Sequence, residues 1–171
     1  MRSHPWWRCP QMFGEERSLE TLSKQESVAL LSTIPVGRVV FTVGALPAIV
    51  PVAFAVQDGA VVMRTSAESR LAKAAPGGVL AFEIDDVDPQ TRTGWSVVVM
   101  GVATVVADPV DRAAIDGVVE TFAPGQRDVC IRLPLTVVTG RRITAAQDQS
   151  PVQTRPLPQP APLAPAIPSA S

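Results

Sequence analysis

Between residues 64 and 73 the chain concentrates Arg64, Thr65, Ser66, Ser69, Arg70 and Lys73. The stretch, RTSAESRLAK, follows an apolar run and opens what reads as a helix, capped by Ser66 and starting near Ala67. A helix start offers free backbone N–H groups and the positive end of the dipole. Thr65 and Ser69 would add hydroxyl donors, and Arg64 and Arg70 would add forked charge suited to phosphate. Lys73 adds positive charge one turn further on. These residue types fit an anion receptor, phosphate above all. They also fit a helix cap with solvated arginines, and Glu68 in their midst counts against a purely anionic purpose.

Other chemistries have little to work with. The single histidine, His4, lies in an irregular leader, so histidine triads, histidine-rich zinc sites and histidine general bases are not expected. Cys9 and Cys130 stand in unrelated contexts and form neither a Cys-x-x-Cys pair nor a disulfide framework. Asp85, Asp86 and Asp88 lack the glycine and distal glutamate of a calcium loop, so they read as a solvated acidic loop and no metal site is assigned. No catalytic residue stands out, and a bound cofactor is the natural source of any reaction.

The elements that must position these groups fall in the middle of the chain. Three zones are read from composition: an irregular leader over 1–18, with Met12 as an alternative start; a periodic apolar core over 19–144; and a disordered tail over 145–171. The last 21 residues hold seven prolines and favour extended or disordered chain, with P-x-x-P spacings such as Pro162 to Pro165. SKQESVALLST opens with a Ser23–Glu26 capping box and predicts a short helix. Residues 37–65 predict three strands with turns at Val43-Gly44-Ala45 and Asp58-Gly59, and Pro47 and Pro51 mark the middle strand as an edge or irregular one. A helix to about Pro76, the strand VLAFEID and the acidic loop follow. Then come a long strand from Trp95 with a bend at Gly101, an Asp108-capped helix to about Glu120, and one last strand over DVCIRLPLTVV. Six or so strands with short helices make a β-rich α+β domain, and the valine-rich runs suit a closed or nearly closed barrel.

The formal net charge of −1 and the lack of an apolar run of roughly 18 residues argue against nucleic-acid and membrane partners. The leader has no apolar signal region, which points to a cytoplasmic setting.

Residues 23 to 142 resemble the pyridoxamine 5′-phosphate oxidase-like family of flavin-binding split β-barrels, and its small actinobacterial-type members above all. The family motif aromatic-Thr-x-x-x-Ser-Arg/Lys, which holds the flavin phosphate, is matched by Thr65, Ser69 and Arg70, with Arg64 in the aromatic place. GRVVFT…LPAIVPVAFA resembles the strand pair whose backbone borders the flavin ring, around Val50, Pro51 and Val52. TRTGWSVVVMGVA resembles the strand that contributes flavin contacts near Trp95 and Ser96, and IRLPLTVVTGRR, with Arg132 and Arg141, resembles the closing strand and tail. Two departures stand out. Ala53 occupies a position where many relatives carry Asn, and the Arg-x-His signature of genuine pyridoxamine phosphate oxidases is absent.

The resemblance implies a homodimeric FMN-dependent oxidoreductase that moves a hydride to or from a small substrate, other than pyridoxamine phosphate. It leaves open a deazaflavin-dependent reductase, with a longer acidic coenzyme tail, and a flavin-binding carrier without turnover. From the residues alone, a barrel that binds an anion or lipid with no redox role also stays open.

Overall fold

A computed structural model describes residues 17–120 and 125–145. His4, Trp6, Trp7, Cys9 and the proline-rich tail lie outside the described residues. Nine strands and three short helices follow in the order β1 (Arg17–Leu22), α1 (Lys24–Leu30), β2 (Val36–Val43), β3 (Leu46–Gln57), β4 (Ala60–Thr65), α2 (Arg70–Ala74), β5 (Val79–Asp88), β6 (Thr93–Val102), β7 (Thr104–Val105), α3 (Pro109–Asp116), β8 (Val129–Pro134) and β9 (Val137–Ala145). All pairings are antiparallel, in the order β1-β9-β6-β5-β2-β3-β4-β8-β7.

The sheet closes because β7 continues β6 after a break at Ala103. β6 pairs with β5, and β7 pairs with β8 through Thr104↔Arg132 and Val105↔Ile131. One continuous segment thus joins both ends of a curled sheet, and β1 and β9 extend it beyond the closure. Ala103 is buried and exchanges hydrogen bonds with Gly77 and Gly78 (3.1 and 2.8 Å), which pins the break two residues past the bend expected at Gly101. The fold is therefore β-rich α+β, a split barrel with short helices, as the apolar patterning implies.

Period-two alternation fills the barrel. Val39, Phe41, Phe54, Leu80, Phe82, Ile84, Val97 and Val99 point inward and are buried, with Phe54 and Phe82 edge to face at 4.6 Å. β4 has no alternation because both of its faces are covered. Val61 and Met63 face the barrel, while Val62 packs with Cys130, Ile115 and Val119 around α3. β2 lies tight against the core at Gly37, where any Cβ would overlap the Phe82 ring.

The two hairpin turns form as expected: Gly44-Ala45 and Asp58-Gly59 all have φ between 47° and 71°, the signature of type I′ turns. The prolines of β3 also have a positional logic. The Phe54 N–H donates to Pro35 O across the β2–β3 ladder, so even-numbered residues of β3 donate toward β2. Pro47 and Pro51 therefore turn their missing donors away from it. Only residues 54–57 of β3 pair with β4, so among the described residues the half from 46 to 53 has an open edge on that side.

Several expectations need correction. β1, which pairs with β9, begins at Arg17 within the stretch read as leader. The single last strand is two strands, β8 and β9, separated at Leu135-Thr136, where the Leu135 N–H donates to Gly59 O. Asp85, Asp86 and Asp88 belong to β5 rather than a loop; Asp85 and Glu83 pair with Arg38, and Asp88 caps the following turn. α3 ends at Asp116, short of Glu120.

Candidate functional site

Beside the open edge of β3 lies a cavity of about 430 Å³. One wall is apolar, with Val50, Pro51, Val52 and Ala53 from β3 and Val36 and Phe41 from β2. The other is cationic and hydroxylic: Arg64 and Thr65 end β4, Ser69, Arg70 and Leu71 start α2, and Arg127 precedes β8. No carboxylate among the described residues lines it.

The hydroxyl groups are ordered by local geometry. The helix cap is Ser69 rather than Ser66. The Ser69 Oγ accepts the N–H of Ala72 at 3.0 Å, and Thr65 donates its hydroxyl to the same oxygen at 2.9 Å. Ser66 instead closes the preceding turn, taking the Glu68 N–H on its side chain and the Ser69 N–H on its carbonyl. This removes Ser66 from the cavity wall and delays the helix to Arg70. α2 has only five residues, so its dipole is weak and the side chains must supply most of any attraction for an anion.

The cations differ in how far they are committed. Arg64 spends its Nε on Asp116 (2.9 Å) and on the carbonyl of Arg127 (3.0 Å), leaving its two terminal nitrogens without a protein partner among the described residues. Arg70 and Arg127 pair with no carboxylate among the described residues. Lys73 points elsewhere, 3.8 Å from Glu68 on the exposed rim, a pair that contributes little.

Of the predicted binding residues, Val50, Pro51, Val52, Arg64, Thr65, Ser69 and Arg70 meet in this cavity, while Ser66, Lys73, Trp95 and Ser96 do not. Trp95 packs partly against the core and borders a shallow hollow with Gly94, Arg142 and Ile143. Ser96 sits between Asp85 and Arg141 in the cross-strand register. Arg132 braces the β3–β4 hairpin through the carbonyls of Gln57 and Asp58. Arg127, Leu71, Val36 and Phe41 are lining residues that the sequence did not reveal. Arg127 lies in irregular chain, where a charged residue carries no periodic signal.

The described residues contain no group of three or more metal-ligating side chains, and no helix among them is long and apolar enough to cross a membrane.

A curled antiparallel barrel with a cationic cleft beside an open strand edge, lined by no carboxylate among the described residues, defines a split β-barrel. The chain belongs to the pyridoxamine 5′-phosphate oxidase family, whose model matches residues 23–142. It is 41% identical over 134 residues to an uncharacterized protein of Mycobacterium tuberculosis, covering 75% of this chain and 88% of that relative. The solved structure of a FAD-binding protein from Mycobacterium smegmatis is similar at 37% identity and a TM-score of 0.62, covering 71% of this chain and 96% of that one. A conserved protein of unknown function from Corynebacterium diphtheriae is similar at 26% identity and a TM-score of 0.62, covering 74% and 98%.

Proposed function

We propose that the cavity binds a flavin nucleotide and that the protein is a flavin-dependent oxidoreductase acting on a small substrate. One observation carries the reading: Ser69, Arg64, Arg70 and Arg127 converge on a space that no carboxylate among the described residues lines, whose opposite wall is apolar and ends in an open strand edge. The donor set fits the phosphate of such a cofactor, since every polar side chain there except Thr65 is free to donate. The flat apolar wall of Val50, Pro51 and Val52 fits a planar ring, and the unpaired backbone groups of the β3 edge fit its polar rim.

Bound there, the flavin would supply the hydride chemistry. The protein's part is to anchor the phosphate, orient the ring against β3 and exclude water along the Val36–Phe41 side. The described lining holds no histidine, cysteine, aspartate or glutamate, in keeping with a cofactor that carries the reaction itself.

FMN would have its one phosphate held by Ser69 and Arg70. FAD is the second reading, favoured by Arg127, a further cation with no carboxylate partner among the described residues, and by the FAD-binding relative of Mycobacterium smegmatis. A deazaflavin would lay its acidic tail on the same cations.

The protein is also proposed to act as a homodimer. Ile49, Val40, Ala81, Met100 and Val137 form one apolar row across the outer face of five strands, with Val79 and Val102 beside it at 73% and 52% exposure. Such a patch suits a second copy of the chain.

Visible absorption and fluorescence titration with FMN, FAD and the deazaflavin tests the reading. Tight binding of one with shifted bands is expected. The Ser69→Ala/Arg70→Ala double variant should weaken it, each lost charge-assisted bond costing roughly 1.5–3 kcal/mol. Unchanged affinity in the double variant overturns the phosphate assignment. Turnover with a reduced nicotinamide separates an oxidoreductase from a flavin carrier.

A further inference from the structure

Thr65 is 5% exposed, and its hydroxyl sits on the cavity wall with its one proton already given to Ser69 Oγ at 2.9 Å. Ser69 Oγ accepts a second bond from the Ala72 N–H at 3.0 Å. A serine hydroxyl has two lone pairs and one proton. With both lone pairs filled, Ser69, a lining residue of the cavity, has only its proton left to offer. The two hydroxyls of the Thr-x-x-x-Ser pair are therefore not equivalent. While its bond to Ser69 holds, Thr65 has only lone pairs to show an anion, and these repel it.

We propose that Thr65 is a positioning residue, acting on the ligand only through Ser69. It holds the Ser69 oxygen and turns the Ser69 proton toward the cavity, and donation into that oxygen polarises the outgoing O–H. Ser69 thereby becomes an obligate donor, matched to an anionic oxygen and mismatched to a group that must donate. Backbone and side chain cooperate here. The Ala72 N–H fills one lone pair because Ser69 caps α2, and Thr65 fills the other because β4 ends four residues earlier. The inference rests on the cavity being the flavin phosphate site.

Full-length wild type, Thr65→Val, Thr65→Ser, Ser69→Ala and the Thr65→Val/Ser69→Ala double variant are titrated with FMN and with riboflavin, the same ring without phosphate. The ratio of the two affinities is the readout, since a packing defect moves both ligands alike. Ser69→Ala should lower the FMN preference roughly ten- to a hundredfold, and Thr65→Val about two- to tenfold. Thr65→Ser, which keeps the donor, should restore it. In the double variant the preference should equal that of Ser69→Ala alone, because Thr65 has then lost the group it works through.

Additive losses would show Thr65 touching the phosphate itself and overturn the proposal. So would a Thr65→Val variant whose FMN preference is unmoved. A wild type that binds riboflavin as tightly as FMN would instead remove the phosphate site, and with it this role for Thr65.

Discussion

Cys130 is buried at 1% exposure, with its thiol facing the Asp116 carboxylate at 3.7 Å. Burial pushes the thiol's pKa up, the Asp116 charge pushes the same way, and the opposing charges of Arg64 and Arg112 do not cancel them. The group stays protonated at neutral pH and is no nucleophile. In a Cys9→Ser background, native protein should react with a thiol reagent only as fast as it opens, and denaturant should release one full equivalent. Rapid reaction in the native state would contradict the burial. The same carboxylate holds Arg64, so Asp116 links the helix layer to the cationic wall of the cavity. That wall is legible in part from the motif: the spacing of Thr65, Ser69 and Arg70 is local. The contribution of Arg127 is not, because it reaches Arg64 from 63 residues away.

Among the elements, α1 shows how side chains substitute for missing backbone partners. Ser23 Oγ accepts the Glu26 N–H while the Glu26 carboxylate accepts the Ser23 N–H at 2.9 Å. Ser23→Ala should cost about 1 kcal/mol, read from the denaturation midpoint. The bonds from Ser23 hold the Glu26 carboxyl below its ordinary value of 4.5. A carboxylate with a depressed folded-state value stabilises the fold above the unfolded-state value and loses that contribution as pH falls through the folded one. Acid unfolding of Glu26→Gln should therefore be less steep below about pH 4.5 than that of wild type. Equal slopes would show that the box does not persist in solution. This cap was legible because its two residues lie three apart. The cap of α2 was misread: the sequence pointed to Ser66, whereas Ser69 caps the helix, accepting the Ala72 N–H and the Thr65 hydroxyl.

For the whole molecule, the outer sheet face carries the proposed contact with a second copy. Met100→Arg places a charge in the middle of the apolar row and should convert a dimer into a monomer in sedimentation velocity, with the circular dichroism spectrum unchanged. A wild type that sediments as a monomer at micromolar concentration would sink the proposal. The Arg38–Glu83–Asp85 cluster borders this row and supplies a polar rim.

Sequence alone determined what depends on neighbours in the chain. Asp58-Gly59 and Gly44-Ala45 had to turn because few residues adopt two successive left-handed conformations. Pro47 and Pro51 had to lie on an open edge because neither can donate to a ladder. Tertiary structure decided what depends on register and closure. It split the last strand at Leu135-Thr136, just after Pro134, where the Gly59 carbonyl accepts the Leu135 N–H. It drew Asp85 into a strand opposite Arg38, and it set Arg127 beside Arg64. Those contacts join residues far apart in the chain, and no short-range pattern of residues encodes them.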